Sequence, residues 1–223
     1  PNKIIHPSYG CIGVAGPIQK KSTKLTNLGW DLSCDKIIEL MNLKDIEIIN
    51  DFASLVHGIN YLNESQFQCI QGDLKAKDNI DDNKLFTVIG AGTGFGISRG
   101  LITKEGIQAL PSEGGHKEFA PRSSDEWEFS EWLKNDLKVS RISLERVISG
   151  TGLGHISRWR LLQDDASSHP MREIAENINM NGPKNIDLPA LTSKAANQGD
   201  PIMSEAMQIW LKAYGSAAGD IAL

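Results

Sequence analysis

Four glycines placed at alternate positions, in Gly90-Ala91-Gly92-Thr93-Gly94-Phe95-Gly96, set the tightest limit on what this chain folds into. One apolar run, Leu85 to Ile89, precedes them and another, Ile97 to Ile102, follows, so the stretch reads as strand, glycine turn over Gly90 to Gly96, strand. Closely spaced glycines let backbone N–H groups approach a phosphate without side-chain clash. Two familiar phosphate-binding readings fail. A dinucleotide fingerprint opening at Gly90 needs glycine where Phe95 stands, and a helix where a strand-like run follows. A Walker A loop needs Gly-Lys followed by Ser or Thr, which is absent. What survives is a hairpin able to hold a phosphate on backbone amides and the Thr93 hydroxyl, or else a plain tight turn.

Composition narrows the class. The 23 Lys and Arg against 28 Asp and Glu leave a net charge of −5, which is no footprint for nucleic acid or for an anionic membrane. A chain of 223 residues with 40% hydrophobic content can bury roughly 70% of its unfolded surface, which excludes disorder and collagen-like repetition. No stretch approaches the ~20 apolar residues of a membrane span, and the first residues lack the charged-then-apolar layout of a signal peptide. The expected compartment is the cytoplasm. Cys11, Cys34 and Cys69 are odd in number and widely spaced, which suits a reduced compartment and no disulfide framework.

Along the chain, Asp35 to Met41 reads as a helix capped by Ser33, and Asp45 to Ile49 as a short strand ending at Asn50-Asp51. A helix through Ala53, Leu55, Val56 and Ile59 follows. The polar stretch from Gln71 to Asn83 reads as an exposed loop or domain boundary, and the lysines at 20, 21 and 24 as a wet loop. The second half is mostly helical, with Ser123-Ser124-Asp125-Glu126 matching a capping box ahead of Trp127 and Trp132. From Asp200 as N-cap and Pro201 at the first helical position, Met203, Met207, Trp210, Tyr214, Ala217 and Ile221 recur at helical spacing. The chain opens at Pro1 and closes at Leu223 inside this pattern, so the helix is expected to run on into more protein. Strands first and helices later predict an α/β unit joined to a helix-rich lobe.

Three further places hold residues suited to chemistry. Glu113-Gly114-Gly115-His116 sets a carboxylate and an imidazole three residues apart on a backbone able to turn sharply, a pair able to hold adjacent hydroxyls of a polyol. Taken alone, a histidine such as His116 is more often a surface or structurally bonded residue than a ligand. A metal role is not expected, since no cysteine lies downstream of Cys69 and no second histidine sits at ligand spacing. Asn50-Asp51 closes a strand carrying Ile46, Ile48 and Ile49, and an Asp at a strand end can accept a hydroxyl proton; the pair equally reads as a helix cap. Glu145 precedes Ser149-Gly150-Thr151-Gly152 and by itself reads as a solvated helix residue.

Taken in order, these segments resemble the bacterial glucokinases of the actin/hexokinase/Hsp70 superfamily. The resemblance is carried by Ala15-Gly16-Pro17, Thr26-Asn27 with Trp30, Ile48-Ile49-Asn50-Asp51-Phe52, Gly90 to Gly96, Leu110-Pro111-Ser112-Glu113-Gly114-Gly115-His116 with Phe119-Ala120-Pro121, and Glu145-Arg146-Val147-Ile148-Ser149-Gly150. It implies a ribonuclease-H-like, two-lobed α/β sugar kinase fold, partial at both ends, with residues 1–61 in a small α/β domain and 62–223 in a large helix-rich one. It further implies transfer of a phosphoryl group from ATP to the 6-hydroxyl of glucose, with Asp51 as general base and Asn50, Glu113, His116 and Glu145 on the other hydroxyls. Gly90, Gly92, Thr93 and Gly94 resemble the family's second phosphate loop, and Mg2+ is carried by the nucleotide. No structural zinc is expected, because the cysteine cluster of the zinc-binding branch is missing. The resemblance admits a homodimer and makes glucose and ATP the partners. The family's first phosphate loop, Asp-x-Gly-Gly-Thr, and its C-terminal glycine segment beside the adenosine have no counterpart and are expected outside these residues. The rival reading is a non-catalytic sugar-binding protein on a kinase fold.

Overall fold

A computed structural model describes residues 6–16, 18, 21–25, 29–72, 84–178 and 186–223. Pro17, Lys20, Thr26, Asn27 and the polar stretch 73–83, all singled out above, lie outside the described residues. The chain divides into two compact units, Pro1–Val88 with Ser98–Ser112, and Ile89–Ile97 with Glu113–Leu223. No helix among the described residues is long and apolar enough to cross a membrane.

In the first unit, strand β1 (Tyr9–Val14) is followed by the antiparallel pair β2 (Ser22–Leu25) and β3 (Trp30–Ser33), then helix α1 (Cys34–Met41), strand β4 (Asp45–Asn50) and helix α2 (Asp51–Gly58). Strands β1 and β4 run parallel, in register from Tyr9 opposite Asp45 to Val14 opposite Asn50. Ile46 and Ile48 point inward and pack with Val14, Cys34 and Leu43, while Asp45 and Glu47 between them stay exposed. That alternation drives β4 into the core at the register that delivers Asn50 and Asp51 at its C-terminal end. Ser33 occupies the N-cap position of α1, yet its side chain makes no cap bond. The Cys34 N–H, first of the helix, donates to the Lys21 carbonyl just before β2 at 3.0 Å, so one of the free N–H groups at this helix start is met by backbone. Lys24 lies within β2 rather than in a loop.

Strands β5 (Leu85–Ala91), β6 (Phe95–Thr103) and β7 (Gly106–Ser112) form one sheet in that order. The divisions of the chain fall inside β5, inside β6 and after β7, with residues 62–88 in the first unit rather than beyond a line at 61.

Among the described residues, the second unit contains the tip of the β5–β6 hairpin and the helices α3 (Ser124–Leu137), α4 (Glu145–Ile148), α5 (Gly150–Leu161), α6 (Arg172–Asn177), α7 (Leu188–Asn197) and α8 (Pro201–Ala222). Helix α5 is buried from Gly152 to Ser157 and again from Trp159 to Leu161, so it is the central rod around which α3, α7 and α8 pack. Phe129, Leu133, Ile148 and Ile156 are fully buried here, each such side chain stabilising the fold by about 1.5–3 kcal/mol. The seam of α8 is small: Ala206, Ala213 and Ala217 are buried with Met203, whereas Trp210, Tyr214 and Ile221 are only partly so. Ser123 caps α3 through the Glu126 N–H, but Glu126 accepts from Arg122 N at 2.7 Å and not from Ser123 N, so half of the expected capping box forms. Buried Arg160 on α5 is satisfied by Asp165 and Glu205. Hydrogen bonding by Asp165 and then Glu205 holds the guanidinium charged against the cost of its burial.

Candidate active site

The first group of site residues sits where β4 becomes α2. Asn50 is the N-cap: its Oδ1 accepts from Phe52 N at 2.9 Å and Ala53 N at 3.3 Å. Of the two readings of the pair, the helix cap thus falls to Asn50. Asn50 spends its oxygen on the helix and leaves its amide N–H groups to meet a ligand hydroxyl. Asp51 is the first residue of α2; its Oδ1 accepts from Phe52 N at 2.9 Å, its carbonyl accepts from the Ser54 hydroxyl, and its Oδ2 has no hydrogen-bond partner among the described residues. The carboxylate is half-buried at the end of a buried strand.

The second group lies in the second unit, around the hairpin tip. The glycine turn is shorter than its sequence signature, for Gly90 and Ala91 belong to β5 and Phe95 and Gly96 to β6. Gly92 N donates to Gly94 O at 2.9 Å, so the Gly92 amide closes the turn and is not offered outward. The donors left for a phosphate are the Thr93 and Gly94 amides and the Thr93 hydroxyl. Three bonds pin this tip to the α4–α5 segment. Gly150 N donates to Gly92 O at 2.8 Å, Thr151 Oγ1 to Thr93 O at 3.0 Å, and Phe95 N to Glu145 Oε2 at 3.0 Å. A Cβ on Gly94 would press on that same Glu145 carboxylate, so a side chain there would have to displace it.

Glu113 precedes and His116 ends a single short helical turn, Gly114–His116, stabilised by His116 N to Glu113 O at 3.0 Å. Gly115 is buried, and a Cβ on it would meet the Phe95 carbonyl, so this turn tucks directly against the start of β6. Arg141 Nη1 donates to the His116 carbonyl at 2.9 Å and steadies the turn from the other side. His116 Nε2 stands 3.6 Å from Glu113 Oε2, and its Nδ1 stands 4.0 Å from Glu145 Oε1. Both separations exceed a direct hydrogen bond. An imidazole between two carboxylates, with all three side chains partly exposed and beyond hydrogen-bond reach of one another, has the chemistry to take hydroxyls of a ligand.

A cavity of about 400 Å3 adjoins the turn, lined by Gly92, Thr93, Gly150, Thr151 and Gly154 on one side and by Ile178, Ile186, Asp187, Leu188 and Pro189 on the other. Among the described residues no group of three or more His, Cys, Asp or Glu is placed to hold a metal ion.

The model of the glucokinase family matches residues 1–223. The chain belongs to the glucokinase family. Among family relatives, a glucokinase of Nostoc sp. is 35% identical over 227 residues, which span 98% of this chain and 64% of the relative. One from Helicobacter pylori is 31% identical, over 98% of this chain and 61% of the relative. The crystal structure of a glucokinase from an Antarctic psychrotroph superposes with a TM-score of 0.70 at 30% identity, over 95% of this chain and 59% of that one. The glucokinase of Balamuthia mandrillaris, at 22% identity and a TM-score of 0.69 over 92% of this chain and 57% of that one, shares the fold. The chain thus spans less than two thirds of the length of the relatives it matches. An α/β sugar kinase fold is what these neighbours have in common.

Sequence reasoning passed over Thr151 and Asp187. Thr151 lay within a quoted run but had no visible partner, since Thr93 is 58 residues away. Asp187 was signalled by the Asp-Leu-Pro pattern of a helix start, and its Oδ1 does accept from Ala190 N at 3.1 Å.

Proposed function

We propose that this chain belongs to an enzyme that transfers the γ-phosphoryl group of Mg-ATP to the 6-hydroxyl of glucose. The observation that carries the reading is Glu145, which stands in the Glu113–His116 cluster with one oxygen and fastens the glycine turn with the other. A polyol site and a phosphate site thereby share a residue, the arrangement that transfer between them requires.

On this reading Glu113 and Glu145 accept from sugar hydroxyls, and His116 and the Asn50 amide donate to them. The Asp51 carboxylate takes the proton of the 6-hydroxyl as that oxygen attacks the γ-phosphorus, and the bond to the bridging oxygen breaks to release ADP. The Thr93 and Gly94 amides and the Thr93 hydroxyl meet phosphate oxygens, where fixed donors cost no reorganisation during the step. Magnesium arrives on the nucleotide, neutralising phosphate charge. The enzyme would work in the cytoplasm on these two small molecules.

Calorimetric titration with glucose tests the site. Saturable heats are expected, and Glu113→Gln should weaken binding by about 1–3 kcal/mol, the penalty for a hydroxyl left imperfectly paired. Identical heats from glucose and from a non-hexose polyol would overturn the reading.

A further inference from the structure

The two oxygens of Glu145 serve different neighbours. Oε2 accepts the Phe95 N–H at 3.0 Å, while Oε1 looks into the hydroxyl-binding cluster, 4.0 Å from His116 Nδ1 and short of a hydrogen bond with it. A carboxylate is planar, so turning either oxygen turns the other. Oε1 is short of a hydrogen bond and the side chain is about one third exposed (34%), so the Phe95 N–H is the one hydrogen bond described on this carboxylate. A hydroxyl donated to Oε1 would fix its plane at a second point.

We infer that Glu145 relays sugar occupancy to the phosphate-binding turn. The hydroxyl it accepts locks the Phe95 side of the hairpin tip, and with it the Thr93 and Gly94 amides that face a phosphate. The inference rests on the proposed placement of a sugar at the Glu113–His116 cluster. It also predicts an asymmetry. The other side of the tip is held by Gly150 N to Gly92 O and by Thr151 Oγ1 to Thr93 O, bonds that involve no residue of the cluster and stay made whether or not sugar is present. Only the Phe95 side responds. The phosphoryl donor then binds more tightly after the sugar than before it, and by reciprocity the donor tightens the sugar by the same factor. A turn that is fully ordered only beside a sugar is a poorer site for passing the phosphoryl group to water.

Amide hydrogen exchange on the protein, with and without saturating glucose, tests the relay alongside a calorimetric glucose titration. Exchange of the Phe95 amide should slow by about 5-fold or more with glucose, the lower end of ordinary coupling between sites, while the Gly150 amide keeps its rate. In Glu145→Gln one amide oxygen replaces two acceptors, so glucose protection of Phe95 should vanish. Thr151→Val, which removes one of the two bonds on the other side, should speed exchange at the tip in both conditions and leave the glucose-dependent ratio intact. Glucose heats with an unchanged Phe95 amide, or full protection in Glu145→Gln, would overturn the relay and leave the sugar site standing. Absence of glucose heats would overturn the sugar site, and the relay with it.

Discussion

Asp200 and Asp51 both stand at helix starts, and they are used in opposite ways. Asp200 is the N-cap of α8. Its Oδ1 accepts from Met203 N at 2.9 Å and its Oδ2 lies 2.8 Å from His169 Nε2. Met171 N donates to His169 Nδ1 at 3.1 Å, which leaves the imidazole proton on Nε2, facing the carboxylate. Burial pushes the Asp200 carboxyl up, but the Met203 N–H and then His169 outweigh it and hold the group below the ordinary carboxylate range. Both oxygens are spent. At α2 the cap is taken one residue earlier by Asn50, which moves Asp51 onto the first helical position with only Oδ1 engaged. An aspartate at a helix start becomes available for chemistry when its neighbour does the capping.

The largest effect that separates the two is expected at Asp51. Asp51→Asn should lower kcat by roughly 10²- to 10⁴-fold, the range for loss of a general base, with an unchanged melting temperature because Asn50 still caps. A near-normal kcat in a folded variant would return Asp51 to a purely structural role. Asp200→Ala should behave in the reverse sense, costing about 1–2 kcal/mol of stability in denaturant melts with kcat little altered.

The same pair carries a pH signature. A folded-state carboxyl held below its unfolded value of about 3.9 contributes stability above that pH and loses it as the pH falls through the lowered folded value. The stability gap between the wild type and Asp200→Ala should therefore be full near neutrality and shrink below about pH 4. A gap that is constant across this window would mean that the Asp200 charge contributes nothing. The smallest effect belongs to Asn50→Ser. Serine is an equally good cap, so stability should shift by only about a few tenths of a kcal/mol, while the loss of the amide donors weakens glucose binding measured by calorimetry. A large loss of stability would show that Asn50 supports more than the helix start.

What could be read in advance follows the range of the interactions. The β5–β6 hairpin was legible because alternate glycines between apolar runs leave few other folds, and the Asp200-Pro201 start of α8 because both of its signals are local. The turn spans Gly92–Gly94 and not the full seven residues, because Gly90 and Ala91 belong to β5 and Phe95 and Gly96 to β6. Ser33 stands at the N-cap of α1 without a side-chain cap bond, an outcome its residue type does not signal. Along α8 the helical spacing found buried Met203 and Ala217, with Trp210, Tyr214 and Ile221 packed partly buried on the core, but passed over Ala206 and Ala213, because an alanine carries no strong signal of burial. Least legible was the bond from Phe95 N to Glu145, 50 residues apart. A backbone amide has no signature in sequence, and the residue type of Glu145 is the same whether it is solvated or holds a turn.

Trp210 gives the site an optical handle. Its indole N–H donates to the Ser149 carbonyl at 3.0 Å, and its ring stacks on Tyr214 at 5.4 Å. Ser149 caps α5 and directly precedes Gly150, the residue tied to the glycine turn. Indole emission shifts in wavelength when its N–H changes partner, so a chain in which the other four tryptophans are replaced by phenylalanine would report on this turn by fluorescence alone, without any label added to the protein.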